Sequence, residues 1–140
     1  MVDAREYLTY IKLTESRIDL KLKQIQTLEE RLQNISPHMD SEYVSHTRNN
    51  DIMGDTVAVI IDIQKQIDRQ TSEISKNKQE AFRIFDQMTP KYAEVLMEFY
   101  INRKTLQCIS ITNQITVRQV QRRLHDAIAE FQKILNESNS

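Results

Sequence analysis

Two stretches of this chain carry an apolar residue at every seventh position, and that spacing limits the fold more than any other feature. The first holds Ile11, Ile18, Ile25 and Leu32, with Tyr7, Leu28 and Ile35 three positions after Ala4, Ile25 and Leu32, and Leu8 and Leu22 flanking the stripe. The second holds Ile60, Ile67, Ile74 and Ala81, with Ile63 and Ile84 three positions after the first and last of these. A seven-residue repeat lines up along one side of an α-helix, whereas a strand buries alternate residues. The spacing therefore predicts one helix from about Asp3, its N-cap, to about Ile35, and another beginning at Asp55. A helix with a single apolar stripe is not stable alone in water. The two stripes should close on each other as an antiparallel hairpin or coiled coil, or pair with a second copy to give a homodimer.

Polar residues interrupt both seams. Thr14 and Lys21 stand at seam positions of the first helix, Gln70 and Asn77 at those of the second. Such residues either fix register and oligomeric state or lie at the solvent edge of a simple hairpin, and the pattern leaves both open. Residues 36–54, rich in Ser, Asn and Asp and containing Pro37 and Gly54, keep no period and read as a connector. His38 and His46 fall in it without a nearby Cys; with Asp40 or Asp51 they could hold a metal, but solvated loop histidines are the plainer reading.

One Gly and two Pro in 140 residues leave too few turn formers for a β-sandwich or an α/β fold, so the expected class is all-α. A lone Cys108 can form no internal disulfide, and no apolar run reaches the roughly 20 residues that span a membrane. The start MVDAREYL has no signal-peptide pattern, so a cytoplasmic protein without membrane contact is expected. No glycine-rich phosphate loop or paired-His motif is present, and Cys108 reads as a half-buried small residue. Neither enzymatic activity nor a cofactor is expected.

Met88, Thr89 and Pro90 divide the chain, because proline suits the first turn of a new helix and Thr89 can cap it. The expected domains are residues 1–88, residues 89–136 and a polar tail at 137–140. The first helix of the second domain should bury Val95, Leu96 and Phe99, while Phe82, Phe85, Tyr92 and Tyr100 pack the junction. Net charge is −1 overall, but residues 90–135 hold seven Lys and Arg against four Asp and Glu. Within them a short apolar helix (Leu106, Ile109) meets a turn at Asn113 and Gln114, and a longer amphipathic helix opens at Thr116. Ser110 is small enough to let the two helices cross closely. Ile109, Ile115, Val120, Leu124, Ile128 and Phe131 form the internal face.

Two closely crossing helices with that polarity make a helix-turn-helix, whose second helix enters the major groove of double-stranded DNA. The groove side would carry Thr116, Val117, Arg118, Gln119, Gln121, Arg122 and His125. Arg118 and Gln121 suit guanine and adenine edges, and Thr116 can cap the helix and meet a phosphate. Arg103, Lys104, Thr105, Arg122 and Arg123 suit phosphates. His125 is either a proton-dependent contact or a plain polar position. Such turns favour Gly; here Gln114 stands at the turn, and Asn113, which tolerates left-handed backbone, is expected to absorb it.

Tyr100, Ile101, Asn102, Arg103, Lys104 and Thr105, then Ile109 and Ser110, then Thr116, Arg118, Gln119 and Val120, resemble the fourth-region DNA-reading module of sigma factors. That module commonly carries Tyr-Ile-x-Gly-Lys-Thr, a helix, a Leu-Gly turn and Ser-x-Arg-x-Val; Asn102, Asn113 and Gln114 depart from it. With two long helices in front, the chain resembles the small phage-encoded regulators of the RinA and ArpU type. The resemblance implies sequence-specific DNA binding, control of phage or mobile-element genes, and RNA polymerase as a second partner. Two other classes fit the composition: a helical adaptor that binds a protein through its long helices, and a DNA-packaging subunit of the terminase small-subunit kind.

Overall fold

In the computed structural model the backbone is described for residues 2–35 and 43–139, and side chains for residues 2–34 and 53–139. The described residues form helices joined by short turns and loops, with no strand among them, so the chain is all-α. In order come α1 (Ala4–Ile35), α2 (Tyr43–Phe85), α3 (Pro90–Leu96) running into a π segment (Met97–Ile101), α4 (Leu106–Asn113) and α5 (Val117–Ser138). No described helix is long and apolar enough to cross a membrane.

Asp3 caps α1 as its position predicts: its carboxylate accepts the Arg5 and Glu6 amides at 2.8 and 3.3 Å, and its carbonyl accepts from Tyr7. The second helix begins earlier than expected. Of the connector assigned to residues 36–54, residues 36–42 lie outside the described residues, with His38 among them, whereas residues 43–54 are the first turns of α2. Extending an existing helix requires no new nucleus, so a stretch of weak helix formers with no proline can join one. Gly54 is part of that helix, with open space where a Cβ would be. The tail is also shorter than expected, because α5 continues to Ser138.

The chain divides into two compact units, Ser16–Ser72 and the pair of segments Met1–Glu15 and Glu73–Ser140. This division runs through both long helices. In the first unit Ile25 and Ile60 are buried and Ile18, Ile63 and Ile67 half-buried. Two of the polar seam residues meet there: the Lys21 ammonium donates to the Gln70 side-chain carbonyl at 2.8 Å. Leu22, expected beside the seam, is instead exposed, along with Leu20, Val57, Val59 and Ile61.

In the second unit α5 packs against the start of α1 and the end of α2. Phe131 of α5 is fully buried, with its ring 6.0 Å from Tyr7 of α1 and 5.8 Å from Phe85 of α2. Gln132 clasps the start of α1, accepting from the Ala4 amide at 2.6 Å and donating to the Val2 carbonyl at 2.9 Å. The Tyr7 hydroxyl donates to the Asn77 carbonyl at 2.7 Å and to Glu80, and Glu15 pairs with Lys78. Burial first, then the Glu80 charge and hydrogen bond, push the Tyr7 phenol well above its ordinary range. Thr14, at a polar seam position, is buried here. Thr89 precedes α3 as expected, but its side chain does not cap that helix. Its hydroxyl and its amide both donate to the Glu130 carboxylate of α5.

Candidate nucleic-acid interface

α3 buries Val95 and Leu96 as expected, while Phe99 in the π segment stays half-buried beneath the Lys12 ammonium, 3.6 Å from the ring centroid. Of the junction aromatics, Phe85 and Tyr100 are buried, Tyr92 is half-buried and Phe82 is exposed. Glu98 is buried too, and it ties the π segment to Lys104 and to the end of α4. Its carbonyl accepts from the Lys104 amide at 3.0 Å, and its carboxylate accepts from the Asn113 amide group at 3.3 Å. Between these, Arg103 takes left-handed backbone at φ 56° and Thr105 caps α4, accepting from the Cys108 amide.

The α4–α5 turn is closed by three hydrogen bonds. The Gln114 amide donates to the Ile111 carbonyl and the Ile115 amide to the Ser110 carbonyl, the pair that defines a Schellman ending. The Ser110 hydroxyl donates to the Ile115 carbonyl. The left-handed residue is Gln114, at φ 57° and ψ 41°, and not Asn113 as the sequence leads one to expect. Asn113 remains helical because its side chain is already committed, donating to Glu98 and to the Ile109 carbonyl at 3.0 Å. Cys108 is exposed, not half-buried, since it lies away from the Ile109 side of α4.

α5 opens on a reciprocal cap. The Thr116 hydroxyl accepts from the Gln119 amide at 3.1 Å, and the Gln119 side chain accepts from the Thr116 amide at 2.8 Å. Val120, Leu124, Ala127, Phe131, Ile134 and Leu135 then turn inward, leaving Ile115 and Ile128 half-buried. With that side fixed by packing, Arg118, Gln121, Arg122 and His125 are exposed and line one shallow depression together with Asp126.

The structure thus brings four of the expected contact residues together and distributes the rest. Thr116 and Gln119 serve the cap, Val117 and Arg123 are half-buried beside the depression, and Thr105 caps α4. Lys104 is half-buried in the loop before α4, and the Arg103 guanidinium lies 3.9 Å from the Glu15 carboxylate. Comparison with family models, curated proteins and solved structures returns no match.

A second, open groove adjoins the first depression and shares Gln121 and His125 with it. Its other lining includes Arg5, Thr9 and Lys12 of α1 above the side chains of Phe99, Tyr100 and Leu124. Burial raises the Tyr100 phenol above its usual range, against the opposing effect of the Arg5 charge and a Thr9 hydrogen bond. Burial likewise lowers the Lys12 ammonium. Sequence reasoning missed Arg5 and Lys12, which are more than 100 positions from α5 and belong to no motif. Asp126, the one carboxylate lining the first depression, was missed as well. Among the described residues no group of three or more His, Cys, Asp or Glu could hold a metal ion.

Proposed function

We propose that this chain is a sequence-specific DNA-binding regulator of transcription, with α4 and α5 as its helix-turn-helix and α5 as the recognition helix. The observation that carries the reading is the exposed set Arg118, Gln121, Arg122 and His125 on the first half of α5. These are the side chains suited to guanine edges, adenine edges and phosphates, presented on the segment that such motifs insert into the major groove. The Ser110–Ile115 hydrogen bond that closes the turn and the capped start of α5 hold that segment in place.

The backbone supports the sigma-like register independently. Aligning the chain with Tyr-Ile-x-Gly-Lys-Thr puts Arg103, not Asn102, at the glycine, and the second glycine of the pattern falls on Gln114. These are the two non-glycine residues with positive φ among the described residues, which is the geometry that favours glycine. The long helices complete the reading as an antiparallel hairpin, supported by the Lys21–Gln70 hydrogen bond, with phage or mobile-element genes as the targets and RNA polymerase as a second partner.

Selection of bound duplexes from a random pool tests this directly. It should return a defined sequence whose binding weakens steeply with salt. Arg118→Ala and Gln121→Ala should each lower discrimination among sites by about 1–3 kcal/mol, and Lys104→Ala should weaken all sites alike. Recovery of no preferred sequence, or variants that bind like the parent, would refute the assignment.

The exposed Leu20, Leu22, Val57, Val59 and Ile61 favour a second reading, an adaptor that engages a protein through its long helices. Partner capture without DNA binding at low salt, abolished by Ile67→Asp, would establish it instead.

A further inference from the structure

We infer that Arg5 and Lys12 of α1 form part of the same nucleic-acid face and contact the phosphate backbone beside the recognition helix. The inference rests on the DNA-binding reading above, but it concerns a helix that no motif in the chain marks. Arg5, Thr9 and Lys12 are spaced four and three residues apart, so they share one side of α1. That side lines the groove whose opposite wall is Gln121, Leu124, His125 and Ile128 of α5. Because Gln121 and His125 also line the depression containing Arg118 and Arg122, the two concavities form one continuous surface. Arg5, Lys12, Arg118 and Arg122 are the Lys and Arg side chains lining the two concavities, and Asp126 is the one carboxylate among the lining residues. No carboxylate lines the α1 side.

The charge and the shape point to a duplex backbone. A helix seated in a major groove about 12 Å wide has a phosphate strand along each flank, so cations flanking the recognition helix meet phosphates and not bases. Lys12 is held in place, its ammonium 3.6 Å from the Phe99 ring centroid and 6.0 Å from that of Tyr100. Arg5 is exposed and carries its charge at the rim. An ordered cation at a fixed distance from the helix adds affinity without sequence preference, which is what a phosphate contact does.

The test uses the full chain with the selected duplex and a scrambled one, read by fluorescence anisotropy between about 50 and 200 mM salt. Arg5→Gln and Lys12→Met remove charge while keeping much of the side chain, so the Lys12 stem can still cover Phe99. Each should lower the slope of log affinity against log salt by about 0.9, which at 0.1 M salt is roughly an eightfold loss of affinity on both duplexes alike. Lys133→Ala, on α5 but outside both concavities, should leave the slope unchanged. If the double variant keeps the parental slope while Arg122→Ala lowers it, the inference is overturned and the DNA-binding reading stands. If Arg5→Gln alters preference among sequences instead of affinity for all of them, the phosphate role is wrong. If the parent chain binds neither duplex, the DNA-binding reading fails and the inference falls with it.

Discussion

Replacing Gln114 by Gly exchanges a residue that holds left-handed backbone at φ 57° and ψ 41° for the one residue type that adopts it without a Cβ clash. The side chain is exposed, so truncating it empties no cavity, and the two amide bonds that end α4 belong to the backbone and survive the change. Left-handed backbone costs an ordinary residue roughly 1–2 kcal/mol. Glycine returns about 0.5–1 kcal/mol of that through its greater freedom in the unfolded chain. The net expectation is a gain of about 0.5–1 kcal/mol, or roughly 1–4 °C in Tm for a chain of this size. Gln107→Gly is the matched control: the same exchange at an exposed, right-handed position of α4 should lose about 0.5–1 kcal/mol. Gln114→Ala, which keeps the Cβ, should show none of the gain. Urea unfolding monitored by circular dichroism at 222 nm compares all three with the parent. If Gln114→Gly is destabilised as much as Gln107→Gly, the strain attributed to the turn does not exist.

Gly54→Ala should stabilise α2 by about 1 kcal/mol, because the position is helical and a Cβ there meets nothing within 4 Å; a lower urea midpoint would contradict this. Thr116→Ala removes half of the reciprocal cap on α5 and should cost about 1 kcal/mol, with Thr116→Ser restoring most of it in the same assay. The Tyr7 and Tyr100 phenols are both raised in the folded chain, so it holds those protons more tightly than the unfolded chain does. Their contribution is complete below pH 10 and is lost as the pH rises above it, while the lowered Lys12 acts in the opposite sense. Urea midpoints should therefore fall between pH 9 and 11, and Tyr7→Phe should fall less steeply over that interval.

Much of the architecture can be read from spacing. The sevenfold stripes give the two long helices, Asp3 gives the start of α1, and Val120, Leu124 and Phe131 give the buried side of α5. The exposed side is then settled too, because fixing the apolar stripe fixes the angular position of Arg118, Gln121, Arg122 and His125. The turn was legible in place but not in detail. Asn113 is the better left-handed residue by intrinsic preference, yet its side chain satisfies the buried Glu98, so the strain moves to Gln114. Glu98 is 15 residues from Asn113 in sequence and carries no local signal of burial. The start of α2 has a different cause: residues 43–54 have weak helix formers and no apolar period, but they are continuous with a helix that carries the sevenfold stripe.

Residue spacing alone sets the helical class, the helices with strong periodicity and the chemistry available on α5. Those properties are local, set by residues three, four and seven positions apart. The partners come from packing in three dimensions: Phe131 against Tyr7 and Phe85, Gln132 on the first turn of α1, Glu130 on Thr89, and Arg5 and Lys12 beside Gln121 and His125. Apart from Thr89 and Glu130, which are 41 residues apart, and Phe85 and Phe131, these pairs join the two ends of the chain. Periodicity says which side of a helix is buried, but apolar burial has no direction of its own and cannot say against which distant residue. That choice is made by shape and by hydrogen-bonding groups that must find partners once water is excluded, and it is what places α1 beside the candidate DNA-reading helix.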